Sequence, residues 1–195
     1  MWNPSTDPDK LPFATPPRIV GRDILFAVGN YAMLGIMAYD DVLGVHPLVR
    51  WYGDYTQGAG NVGTDGKHIV WTYGEQKPLG EDLYPVLSIM AADYTTDPNA
   101  LAPKRLRSDP YGDIGDPFVV GCGYAAHNET SKAMLLVRIA DGVSWTLPDS
   151  PAWIWATALG LTCDELVLLV GTDSIQRPNI ARVRIDSLGP GSPPD

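Results

Sequence analysis

Positive charge and cysteine are both in short supply in this chain. Lysine and arginine number 14 against 23 aspartates and glutamates, a formal net charge of −9. Phosphate binding needs clustered Lys and Arg, so a nucleic-acid backbone is excluded as a partner. The one basic cluster, Lys104-Arg105-Leu106-Arg107, alternates and reads as the solvated face of a strand. The two cysteines, Cys122 and Cys163, are too few for a disulfide scaffold or a zinc site. Each lies beside an apolar run, which leaves a disulfide between them geometrically open. The expectation is two ordinary buried thiols.

Long apolar stretches are missing as well. No run reaches about 18 residues and no heptad pattern is sustained, so neither a membrane span nor a coiled coil is expected. The first residues, MWNPSTDPDK, lack the basic start and apolar core of a signal peptide. Either the protein is cytoplasmic or a leader is missing from this chain. Scarce lysine, abundant Trp and Gly and net acidity lean towards an extracytoplasmic or secreted setting.

What is present is an ordinary globular composition with many turn formers. The chain has 195 residues, 45% of them hydrophobic, with 20 glycines and 18 prolines. That length suits one domain with a real core. The mix, with 6 Trp and 9 Tyr, favours short strands joined by turns.

A repeat organises these strands. Five-residue runs begin at Ile24, Ile69, Phe118 and Leu166, at spacings of 45, 49 and 48 residues. Each is followed by a glycine: Gly29, Gly74, Gly123 and Gly171. Gly21, Gly66 and Gly115 stand three residues before the first three runs, with Cys163 before the fourth. Each partner run closes in an aspartate: Asp40, Asp93, Asp141 and Asp186. The runs ILFAV, IVWTY, FVVGC and LVLLV are continuously apolar, as strands covered on both faces must be. Val143-Ser144-Trp145-Thr146-Leu147 and Lys104 to Arg107 alternate, as outermost strands with one wet face do.

A period of 45–49 residues with about four strands per unit resembles the blade repeat of the β-propeller superfamily. The resemblance spans nearly the whole chain and matches no single family in it. The Gly-His and Trp-Asp signature of WD repeats, the Asp-box of sialidases and the double glycine of kelch repeats are all absent. It implies an all-β fold of about four four-stranded blades, either alone or as part of a larger or dimer-completed propeller. Residues 1–18 form a proline-rich arm or edge strand. The blades then occupy approximately 19–55, 56–108, 109–149 and 150–188, and 189–195 form a flexible tail. The fourth unit stops after its third strand, and residues around Trp2 are placed to supply a fourth. A truncated or split propeller is the favoured reading, and its open edges would invite pairing with another copy.

No catalytic, cofactor or metal constellation emerges. The strand-end aspartates read as turn caps rather than cation ligands. Asp40-Asp41 and Asp109/Asp113/Asp116 are the best calcium candidates, but they lack the spacing of a known calcium loop. His46, His68 and His127 fall in three different units without ligand spacing. Among Trp51, Trp145, Trp153 and Trp155, the pair Trp153 and Trp155 shares one strand face and could stack on a sugar or anchor a partner; burial between blades is the competing reading. The variable loops 53–61, 75–82, 94–103 and 172–179 project between strands. The function expected is a non-enzymatic binding module for a protein or glycan partner. The alternative is a hydrolase or lyase whose carboxylates meet at a central channel.

Overall fold

The computed structural model describes residues 13–14, 16–30, 33–49, 57–79, 82–109, 119–128, 134–147, 155–171 and 178–194. It is all-β, with four antiparallel sheets and a single 3-10 turn at Ile185–Ser187 among the described residues. No helix of these residues is long and apolar enough to cross a membrane.

The first sheet contains β1 (Phe13–Ala14), β2 (Arg18–Val20), β3 (Asp23–Asn30), β4 (Met33–Asp40) and β5 (Gly44–Val49). Both β1 and β2 pair with β3, at its two ends. Pro16 and Pro17 fall between them, where a ring nitrogen has no ladder hydrogen to give. The second sheet is β6 (Gln57–Thr64), β7 (His68–Leu79), β8 (Asp82–Asp93) and β9 (Lys104–Asp109), in chain order. The third is β10 (Val119–Gly121), β11 (Tyr124–Asn128), β12 (Met134–Arg138) and β13 (Ser144–Leu147). The fourth has three strands, β14 (Trp155–Leu161), β15 (Glu165–Gly171) and β16 (Pro178–Arg184). No fourth strand of this sheet is among the described residues.

Three cores join the sheets in sequence. Leu25, Ile36 and Leu48 of the first sheet pack on Ile69 and Trp71 of the second. Val70, Ile89 and Leu106 meet Ala125, Leu135 and Val137 of the third. Met134, Leu136 and Leu147 meet Leu166, Leu168 and Val170 of the fourth. Successive residues of β7 thus serve opposite cores, Ile69 and Trp71 facing back and Val70 facing forward, because strand side chains alternate between faces. Ile69, Val70, Trp71 and Thr72 are all buried, which is why this strand shows no polar alternation. Each sheet stacks on the next like the blades of a propeller, and the fold is propeller-like.

The repeat frame needs one correction. Phe118 lies outside the described residues, and the rest of its run is not the covered second strand of the third sheet. Val119–Gly121 is that sheet's first strand, and Cys122-Gly123 is the hairpin turn. Both turn residues have positive φ, +49° and +79°, the geometry of a two-residue turn that matches strand twist. The second strands therefore begin at Asp23, His68, Tyr124 and Glu165, with uneven spacings of 45, 56 and 41 residues.

The cysteines also differ from expectation. Cys122 and Cys163 are joined in a disulfide across 41 residues of sequence. They occupy the first turns of the third and fourth sheets, which neighbour each other in the stack. Two of the expected loops are largely strand: residues 57–61 belong to β6, and 75–79 extend β7 into a long hairpin with β8. Residues 189–194, expected to be flexible, lie along β13. Ser192 exchanges backbone hydrogen bonds with Ser144 at 2.7 and 2.9 Å, and Trp145 Nε1 donates to the Gly189 carbonyl at 3.1 Å.

Candidate functional site

The first turns of the sheets form one end of the stack, where polar side chains tie neighbouring sheets. Asp65, before β7, accepts from the backbone N–H groups of Lys67 and His68 at 3.0 and 2.8 Å. Its other oxygen accepts from Gly123 N in the third sheet at 3.0 Å and lies 3.0 Å from His68 Nδ1. Burial pushes its carboxyl up, but these hydrogen bonds, led by that from His68, outweigh it and hold the pKa at about 2. The Tyr94 hydroxyl donates to Asp23 Oδ2 at 2.6 Å, joining the second sheet to the first. Burial, then the hydrogen bond to and the charge of Asp23, push the phenol upward. His46 places Nε2 3.0 Å from the Thr96 carbonyl and Nδ1 3.0 Å from that of Gly44. Backbone approaches are equally close: a Cβ at Gly121 would stand 2.5 Å from the Leu161 carbonyl oxygen.

The strand-end aspartates have structural duties here. Asp40 Oδ1 accepts from Val42 N and Leu43 N, both at 2.7 Å, and caps the β4–β5 turn. The Leu43 bond is the largest influence on the Asp40 carboxyl, and the net effect is a lowered pKa. Asp141 accepts from Val143 N and pairs with Arg138. Asp186 pairs with Arg184, and Asp93 ends β8 with Oδ1 3.8 Å from His68 Nε2. Asp41 pairs with Arg22, and Asp113 and Asp116 lie outside the described residues. His127 is buried in β11. No three His, Cys, Asp or Glu side chains converge as for a metal ion among the described residues.

The basic cluster of β9 is partly used between sheets. Lys104 Nζ donates to the Ala140 carbonyl at 3.0 Å and Arg107 to Ser144 Oγ at 2.8 Å.

Apolar surface is concentrated on the outward face of the first sheet. Ladder pairing places Ile19 opposite Ile24, Ile24 opposite Tyr39 and Tyr39 opposite Val45. These four make one continuous row across the sheet, with exposures of 75%, 36%, 38% and 60%. Val42 and Leu43 extend it at the adjoining turn and are exposed as well. The apolar run from Ile24 predicts a strand covered on both faces. Among the described residues no sheet covers this side, and only the ladder register shows the row.

The outward face of the fourth sheet is the counterpart. Trp155 is half-buried opposite Gly171, and a Cβ on that glycine would overlap the indole. The glycine thus leaves room for the ring to lie across the strand. Leu169 and Ile180 are paired on the same side, Ile180 being 57% exposed. Trp153 and Trp51 lie outside the described residues; Trp145 is half-buried against Tyr124 with Arg138 over its ring at 5.6 Å.

The chain matches no protein-family model and no curated protein sequence. Among solved structures it is similar to one from a structural and mechanistic study of two prolyl endopeptidases, with 11% sequence identity and a TM-score of 0.38. That likeness covers 93% of this chain and 36% of the other, so the chain spans about a third of that protein's length. A likeness so distant carries no weight for function.

Proposed function

We propose that this chain is a non-enzymatic, propeller-type interaction module that holds a protein or glycan partner on an uncovered sheet face. The observation behind this reading is the unbroken apolar row Ile19–Ile24–Tyr39–Val45, mirrored by Trp155 and Ile180 at the other end of the stack. Soluble proteins seldom leave such a row bare unless something covers it. The carboxylates argue in the same direction. Asp40, Asp65 and Asp141 are engaged by turn amides and cross-sheet hydrogen bonds, which suits structural work better than proton transfer. Trp155, with Trp153 two positions upstream, is the proposed anchor, since an indole offers a broad stacking surface at low entropic cost.

A glycan array, run beside an ester, glycoside and peptide substrate screen, tests this reading. Binding without turnover is expected, with Trp155→Ala weakening any glycan or peptide retained by about tenfold or more. Turnover that disappears when carboxylates outside these turns are replaced one at a time would establish the enzyme instead.

A further inference from the structure

The three contacts between sheets all run in one sense. Leu25, Val70 and Ala126 look forward to the next sheet, while Ile69, Ala125 and Leu166 look back to the previous one. Among the described residues this leaves one backward face uncovered, on the first sheet, and one forward face, on the fourth. Ile24 and Ile69 show what cover does: they stand 45 residues apart at equivalent positions, yet Ile69 is fully buried and Ile24 is 36% exposed.

We propose that the two uncovered faces are partners for each other across two copies of the chain, the fourth sheet of each packing on the first sheet of its mate. The proposal rests on reading these faces as interaction surfaces and names the occupant. Three features select a second copy. The faces are of opposite kind, so the surface that continues the stack beyond either end is the one this chain carries at its other end. Both are apolar where they would meet, with Ile19, Ile24 and Val45 on one and Leu169 and Ile180 on the other. The charges beside these apolar residues are already paired within the chain, Arg22 with Asp41, Arg182 with Glu165 and Arg184 with Asp186, so a chain of net charge −9 meets its copy through locally neutral patches. Two reciprocal head-to-tail contacts close a two-fold ring of eight sheets, and closure prevents runaway growth.

The test is a complementation experiment read by light scattering. Val45→Glu alters only the first-sheet face and Ile180→Glu only the fourth-sheet face. Both side chains are exposed, so circular dichroism should match wild type; Ile19→Glu and Leu169→Glu replace any variant that does not. The expected result is a wild-type dimer, two monomeric variants, and a dimer restored when the variants are mixed. Each mixed pair keeps one intact contact, so its dissociation constant should exceed the wild-type value at least tenfold. A dimer that survives both substitutions overturns the proposal, and so does failure of the mixture to associate. A monomeric wild-type chain also overturns it, and 1-anilinonaphthalene-8-sulfonate then separates the two readings. Dye bound in wild type and lost in Val45→Glu keeps the interaction surface and removes the second copy. No dye bound removes both.

Discussion

Asp65 accepts a hydrogen bond from the Gly123 amide at 3.0 Å, tying the first turn of the second sheet to that of the third. The same carboxylate holds its own turn through Lys67 and His68. Asp65→Ala strands three amide donors at once and should cost about 2–3 kcal/mol in urea unfolding at neutral pH. The sign of the acid effect follows from a folded pKa of about 2 against an ordinary value of 3.8. The charged form is favoured by folding, so the stabilisation is complete above about pH 4 and disappears as pH falls towards 2. Its size is on the order of 2 kcal/mol. Asp65→Asn should flatten the stability profile in that window, and an unchanged slope would refute the assignment.

Linking Cys122 to Cys163 closes a long loop, with 41 residues of separation. Chain entropy puts the value of such a link at about 2–4 kcal/mol. A reducing agent should lower the melting temperature of wild type and leave a Cys122→Ser/Cys163→Ser variant unchanged. Two thiols titrating in the unreduced, denatured protein would show that the bond does not form.

Tyr94 reaches across sheets to Asp23 with its hydroxyl. Tyr94→Phe removes that donor and leaves a part-buried carboxylate without it, at a cost of about 1–2 kcal/mol. Because burial and the Asp23 contact raise this phenol, one tyrosine should resist ionisation in an ultraviolet pH titration after the exposed ones have titrated. Tyr94→Phe should abolish that late step; a late step that persists would belong to another tyrosine.

Gly121 and Gly160 form a matched pair of controls. At Gly121 a Cβ meets the Leu161 backbone, whereas at Gly160 nothing lies within 4 Å. Gly121→Ala should therefore cost more than about 2 kcal/mol, since neither strand can retreat without opening the third core. Gly160→Ala should stay within about 1 kcal/mol of wild type. Equal effects would mean that the close approach is relieved in solution.

The fold was legible in the sequence where burial on both faces writes itself as a continuous apolar run. IVWTY announces β7 because cores seal both of its faces, and LVLLV announces β15 although only its Leu166, Leu168 and Val170 side is sealed. FVVGC carries the same composition, yet its Cys122-Gly123 end is a turn. Apolar content alone cannot separate a first strand from a second. The disulfide was hidden because its geometry depends on two hairpin turns in different sheets, a relation with no local spacing rule. The apolar row was hidden for a similar reason: Ile19, Ile24, Tyr39 and Val45 become neighbours only through cross-strand register. The aspartate caps, by contrast, were readable, since Asp40 binds amides two and three residues ahead.

The fastening of the stack is lopsided. The fourth sheet is held to the third by the disulfide and a shared core, and the chain beyond it returns through Ser192 to β13. The first sheet is held to the second by packing and hydrogen bonds alone. In such a nearest-neighbour array, heat or tension starts unravelling at the weaker terminus. Peeling away the first sheet bares Ile69 and Trp71, a surface of the same backward-looking kind as the one just lost. Loss of the first sheet therefore does not remove the bare apolar face; it opens a fresh one a sheet further in.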